Sequence, residues 1–176
     1  SFTSAPHFYL HAEINARQLV KLRARLLSEL EEQAQVRITY TDLLVKLCSV
    51  ALTNNSGLMA QWTEDGLHRF DDVNIGIAVD DKRGLFVPVI RNADRMGLET
   101  LGREFRRLLA AVRGGNILPD DLSGGTFTIT NLGMLGVEGF TPVINLPECC
   151  ILGAGRMVRK PVVVGEGDIV AVCPMM

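Results

Sequence analysis

Between Gly124 and Gly133 the chain reads GGTFTITNLG, a glycine-bounded alternating segment that leaves Thr130 and Asn131 at its end. In a strand, successive side chains point to opposite faces, so Phe127 and Ile129 share one face while Thr126, Thr128 and Thr130 share the other. The apolar face can anchor such a strand and leave the hydroxyl face free to meet a substrate. A hydroxyl held in place is a hydrogen-bond donor for an oxygen that gains negative charge, as when a thiol attacks a thioester. Threonine-rich alternation by itself also describes an ordinary edge strand. What separates the two is the company the segment keeps: FVPVIRNAD at 86–94 before it and GFTPVINLPE at 139–148 after it.

The elements that must position these segments follow from periodicity. Residues 7–14 alternate strictly, with Phe8, Leu10, Ala12 and Ile14 against His7, Tyr9, His11 and Glu13, which predicts a half-buried strand. Asn15 with Gln18 opens a helix that runs to residue 32, striped by Leu19, Leu22, Leu26 and Leu30. Thr39 with Asp42 opens a second, over 42–53, apolar on most of its surface and so buried; Asn54, Asn55, Ser56 and Gly57 stop it. A hairpin follows, 60–63 with 67–70. A second strand pair, 73–80 with 85–90, sets Ile75, Ile77 and Val79 against Asn74, Gly76 and Ala78, a face small enough for close approach. The third helix, 98–113, carries Leu101, Phe105, Leu108, Leu109 and Val112 as its stripe, and Gly114 and Gly115 end it. Beyond the threonine-rich strand lie a long Gly- and Pro-containing loop, a strand at 149–153 and a hairpin turning at about 165–167. Helices and strands mix without regular alternation, which predicts an α+β fold.

Composition narrows the function classes. A chain of 176 residues suits one domain, 1–176, large enough to bury a core. With 18 basic against 20 acidic residues there is no charge excess to hold a nucleic acid. No apolar run approaches the ~20 residues of a membrane span, and no signal-peptide pattern is present. The four cysteines, Cys48, Cys149, Cys150 and Cys173, lack a Cys-x-x-Cys spacing and read as small buried hydrophobes in a reducing compartment. Adjacent Cys149 and Cys150 are expected on opposite faces of a strand, joined neither to each other nor to a shared metal. Gly153, Ala154 and Gly155 begin like a dinucleotide fingerprint, but Val158 occupies the third glycine position. His7 and His11 would stand about 13 Å apart along one strand, too far to share a metal. They read as solvated or interface histidines, and His68, in a polar hairpin, as exposed. No metal site is expected.

PHFYLHAEI at 6–14, FVPVIRNAD, GGTFTITNLG and GFTPVINLPE, in that order, resemble the catalytic core domain of the dihydrolipoamide acyltransferases of the 2-oxo acid dehydrogenase complexes. The resemblance covers residues 6–176. It implies a chloramphenicol acetyltransferase-like α+β fold, a mixed sheet with flanking helices, assembled as trimers whose active sites lie at subunit interfaces. It also implies transfer of an acyl group from a dihydrolipoyl arm to coenzyme A. Coenzyme A enters as a substrate, the lipoyl group belongs to a separate domain, and no metal takes part. Thr130 matches the family's oxyanion donor; Phe140, Thr141 and Pro142, with Asn131, match its substrate channel; Arg23 and Asp80 match charges that line or brace the site. Arg91 and Asn92 form a polar pair at a strand end to which no role is assigned. Partners implied are further copies of the chain, as a trimer or a multiple of three, and the decarboxylase and dihydrolipoamide dehydrogenase components. The implied location is the bacterial cytoplasm or an organelle matrix. Whether the acyl group derives from pyruvate, 2-oxoglutarate or a branched-chain acid stays open.

The family's catalytic histidine lies in a D-H-R-x-x-D-G motif beyond the strand that reads here IVAVCPMM, and residues 1–176 do not contain that motif. The chain is therefore read as a core domain lacking its C-terminal segment and inactive by itself. The alternative is a non-catalytic structural homologue in the core of such a complex. Residues 132–147 are largely apolar, with Glu138 their charged member, so a partner is expected to cover them, with Phe140 near the subunit interface.

Overall fold

The structure is a computed structural model that describes residues 6–34, 37–165 and 168–176. Its centre is a four-stranded sheet built from β3 (Ile75–Ile77), β6 (Val89–Ile90), β7 (Phe127–Asn131) and β8 (Ile151–Ala154), in the order β6-β3-β7-β8. β3 runs antiparallel to β6 and parallel to β7, and β7 runs parallel to β8. The register sets Ile75 beside Phe127 and Ile77 beside Ile129, so these four side chains share one face. Two helices cover that face, α2 (Tyr40–Asn54) through Val45 and Leu52 and α3 (Leu98–Gly114) through Leu101, Phe105 and Leu108. The remaining elements are α1 (Arg17–Ala34) and three two-stranded ribbons: β1 (Ala60–Thr63) with β2 (Gly66–Arg69), β4 (Val79–Asp81) with β5 (Gly84–Phe86), and β9 (Val158–Val164) with β10 (Ile169–Met175).

Local signals account for most of these boundaries. The Thr39 hydroxyl accepts from the Asp42 amide at 3.3 Å while the Asp42 carboxylate accepts from the Thr39 amide at 2.7 Å, a complete capping box. Gly115, at φ 75°, ends α3 in the left-handed conformation that glycine adopts without strain. Leu19, Leu22 and Leu26 of α1 pack with buried Ile38 and Leu43, whereas the Leu30 side chain lies outside the described residues. The expected turn at 165–167 likewise falls mostly outside them, between β9 and β10.

Two expectations are corrected. The alternating segment 7–14 forms no strand among the described residues. A strand exists only by pairing, and pairing begins at its far end, where the Ile14 amide donates to Met176 at 2.8 Å and Asn15 bridges Met175. Phe8 and Leu10 are left 83% and 88% exposed. The long pair 73–80 with 85–90 is divided in two. The Ala78 amide donates to Ile129 of β7 at 2.9 Å rather than continuing toward 85–90, and β4–β5 leaves the sheet as its own hairpin. Pro88, which has no amide hydrogen, stands opposite the break.

Candidate active site at the end of the threonine strand

The entry to β7 is fastened by residues to which the sequence assigned no role. The Asn74 amide group donates to the Gly124 carbonyl at 3.0 Å, and its oxygen accepts from the Asn92 backbone at 2.9 Å. Asn92 sits at φ 49°, a left-handed position that asparagine tolerates. Arg91 donates to the carbonyls of Asp120 and Ser123 at 2.9 and 3.1 Å, tying the end of β6 to the 3₁₀ turn Pro119–Leu122 ahead of the strand. The Asn74 backbone N–H donates in turn to the Thr126 hydroxyl at 3.0 Å.

The hydroxyl face of β7 is therefore not free along its length, as the alternation alone suggested. Thr126 and Thr128 are 2% and 1% exposed. Asn145, from the loop before β8, donates to the Thr128 hydroxyl at 3.2 Å and to Glu148 at 3.3 Å. Glu148 is 4% exposed, one of its oxygens has no hydrogen-bond partner, and burial raises its pKa, opposed by hydrogen bonds from Thr128 and Asn145. The 72–74 segment bonds the Thr126 hydroxyl and the loop before β8 bonds that of Thr128, so two of the three hydroxyls serve the fold.

Thr130 differs. It is half-buried, and its hydroxyl has no hydrogen-bond partner among the described residues. It lies opposite Gly153 of β8. A methyl group on Gly153 would stand 3.1 Å from the Phe140 ring and 3.2 Å from Pro142, so these two side chains rest on the strand beside Thr130. Gly155 lets the chain at 137–138 cross in the same way: a methyl group there would overlap the Glu138 carbonyl, and the Arg156 amide donates to Val137 at 2.7 Å. The Gly153 and Gly155 pair thus serves close backbone approach. Thr141 is exposed between Phe140 and Pro142.

Asn131 uses both ends of its amide within the fold, donating to the Thr41 hydroxyl at 3.2 Å and accepting from the Gly133 amide at 2.9 Å. It forms one wall of a cleft of about 290 Å³ with Tyr40, Thr41, Gly133, Met134 and Arg156. Arg23 reaches the same neighbourhood from α1: its guanidinium lies 4.9 Å from the Tyr40 ring centre and donates to the Ile38 carbonyl at 3.0 Å. Asp80 is exposed on β4, which leaves from the end of β7 marked by the Ala78 to Ile129 hydrogen bond, and it forms no ion pair among the described residues. A larger depression, about 620 Å³, lies against α3, where Arg107 and Asp121 pair at 2.7 Å; it contains none of the expected site residues.

The histidines stand apart from Thr130 in the hydrogen-bond pattern. His7 is half-buried and accepts from the Ile144 amide at 3.1 Å, while His11 and His68 are exposed. Among the described residues no three His, Cys, Asp or Glu side chains gather as a metal site. The cysteines are only partly the buried hydrophobes expected. Cys173 is buried, Cys48 and Cys150 half-buried, and Cys149 exposed. Cys149 and Cys150 precede β8 rather than joining it, and their sulfurs lie 3.7 Å apart instead of on opposite faces.

A mixed α+β domain with an unpartnered hydroxyl at a strand end, beside a loop laid over glycines, is the class that fold and site define. Within that class the chain belongs to the 2-oxoacid dehydrogenases acyltransferase family, whose catalytic-domain model matches residues 1–176. It is 40% identical over 163 residues to component 3 of the mitochondrial dihydrolipoyllysine-residue acetyltransferase of the Arabidopsis thaliana pyruvate dehydrogenase complex, covering 92% of this chain and 30% of that protein. The chain thus spans under a third of that relative's length. Among solved structures it superposes with a TM-score of 0.93 on a probable dihydrolipoamide acetyltransferase from Listeria monocytogenes, at 30% identity, covering 99% of this chain and 74% of the other. The cubic core of the pyruvate dehydrogenase multienzyme complex matches with a TM-score of 0.92 at 31% identity, over 99% and 71% of the two chains.

Proposed function

We propose that residues 1–176 belong to an acyltransferase core domain whose complete form, with the family's histidine motif, moves an acyl group from a dihydrolipoyl arm to coenzyme A and helps build the core of a 2-oxo acid dehydrogenase complex. The observation that carries this reading is the unpartnered Thr130 hydroxyl, held at the end of a strand whose other hydroxyls are bonded inside the fold. When the coenzyme A sulfur attacks the thioester carbonyl, a carbon–sulfur bond forms and the carbonyl oxygen becomes an oxyanion. Thr130 donates to that oxygen. Collapse expels the dihydrolipoyl sulfur, which takes up a proton. The base that removes the coenzyme A thiol proton is, by family resemblance, the histidine of a D-H-R-x-x-D-G motif, and residues 1–176 contain no such motif.

Phe140, Thr141 and Pro142 form one side of the substrate channel in this reading, with Asn131 closing the adjoining wall. Arg23 braces that wall through Tyr40, and Asp80 supplies an exposed charge near the strand end. Association with further copies, as a trimer or a multiple of three, is supported by apolar side chains left in solvent, Leu10 at 88% and Met134 at 80% exposed. Decarboxylase and dihydrolipoamide dehydrogenase components are the proposed partners, and a bacterial cytoplasm or organelle matrix is the proposed location.

The test is turnover in the native acyltransferase that contains this chain. Thr130→Ala is expected to lower kcat by about 10²-fold or more with little change in KM for coenzyme A, because the interaction is made in the transition state. Thr130→Ser should be mild. Turnover unchanged in the alanine variant would return Thr130 to a structural role and favour the non-catalytic scaffold.

A further inference from the structure

Outside the candidate active site, the chain brings two nucleophilic atoms together at the bend between Glu148 and β8. The sulfurs of Cys149 and Cys150 lie 3.7 Å apart. Cys149 is exposed, and its thiol meets the Leu58 carbonyl at 3.2 Å, a weak contact that is easily given up. Cys150 is half-buried and packs against the main hydrophobic core. One thiol is anchored and the other accessible.

We propose that Cys149 and Cys150 form a vicinal-dithiol site that captures a monosubstituted trivalent arsenical. Paired thiols select soft centres, and this pair offers two ligands and no more. A structural zinc ion would need about four ligands, and among the described residues no third His, Cys, Asp or Glu joins the pair. Glu148, next in the chain, is turned inward to Thr128 and Asn145. A monosubstituted trivalent arsenical requires two thiols and leaves no position open. In the reaction two arsenic–sulfur bonds form, the arsenic–oxygen double bond is lost, and the oxygen leaves as water with the two thiol protons. Arsenic stays trivalent and no oxidant is consumed.

Burial, and then its neighbour Cys149, push the Cys150 thiol up to about 11. Reactions that need the Cys150 thiolate, such as attack on a peroxide, are slowed accordingly, and in the condensation the Cys150 proton leaves in the water released. Once Cys149 has bound, capture by Cys150 is intramolecular, and such linkage raises affinity by roughly 10²-fold or more over a single thiol. The site is independent of the acyl-transfer reading.

Phenylarsine oxide, titrated into the intact chain under reducing conditions, is the probe. Intact-mass measurement should show one phenylarsine adduct per chain, with two of the four thiols lost to a thiol reagent after denaturation. The adduct should resist a monothiol and be removed by a small dithiol. Cys149→Ser, at an exposed position that leaves packing undisturbed, should weaken binding by roughly 10²-fold and make the adduct reversible by monothiol. Cys48→Ser should change nothing. An adduct equally tight in Cys149→Ser, or none in the parent chain, would overturn the proposal.

Discussion

Glu148 shows how one residue's surroundings can impose a pH dependence. Its acid form is favoured by burial, so its pKa in the fold lies above the ordinary carboxylate value of about 4.3. Below that ordinary value Glu148 is protonated in both folded and unfolded chains and contributes no penalty. As pH rises through the raised folded value, the unfolded chain has already released its proton while the fold must ionise a buried group, and stability falls. Glu148→Gln keeps an oxygen for Asn145 and removes the titration. The variant should gain on the parent as pH rises from about 4 to 8, read as the difference in urea midpoint. A difference that does not change with pH would show that Glu148 ionises in the fold at no cost. Three alternate threonines at and along β7 thus have different fates: Thr126, just ahead of the strand, and Thr128 are bonded into the fold, and Thr130 keeps its hydroxyl unpartnered.

At the level of elements, the site depends on how closely one segment can lie on another. The 137–142 segment crosses β8 and its continuation only because Gly153 and Gly155 present no side chain. Gly155→Ala would press a methyl group into the backbone at Glu138, which cannot move aside as a flexible side chain can. We expect a loss of about 1–3 kcal/mol, in the range of other overpacking changes. Gly57, in the 3₁₀ turn Ser56–Leu58, has open space where a methyl group would go, and Gly57→Ala should be neutral or gain up to about 1 kcal/mol by restricting the unfolded chain. Denaturant midpoints of the two variants provide the comparison. Equal effects would mean that the 137–142 crossing yields freely, and the channel wall proposed from Phe140 and Pro142 would lose its fixed position.

For the whole molecule, the distribution of apolar surface is the main physical fact. The β6-β3-β7-β8 sheet has one face filled by α2 and α3, yet Phe8, Leu10, Met134, Leu135, Ile169 and Val170 all remain exposed. They sit on an extended lead, a loop and a two-stranded ribbon, elements that cover little of one another. A second copy is the occupant expected from the proposed function. Light scattering should find the native protein as a trimer or a multiple of three, and Leu10→Asp should shift it toward smaller species while circular dichroism keeps its helix signal. A stable monomer at micromolar concentration would remove the assembly from the reading.

Much of the local architecture could be read from the sequence because its causes are local. The Thr39 and Asp42 box, the Gly115 stop, the α3 stripe from Leu101 to Val112 and the alternation of Phe127 and Ile129 each depend on residues a few positions apart, and each appears in the structure. The glycine-bounded alternation placed Thr130 at a strand end, and the family resemblance, carried by four short segments, implied its role as an oxyanion donor. Tertiary structure decided what covers each face. Alternation shows that Thr126, Thr128 and Thr130 share a side, but only contacts from distant segments, Asp72 and Asn74 on Thr126 and Asn145 on Thr128, separate the bonded hydroxyls from the unpartnered one. The same holds for residues 7–14, whose pattern predicts a strand that pairs only at its far end among the described residues, and for Cys149 and Cys150, whose sulfurs meet because the chain bends before β8 begins. Periodicity records which side chains point the same way; burial, pairing and proximity depend on segments distant in sequence, and a single sequence does not show where they fold.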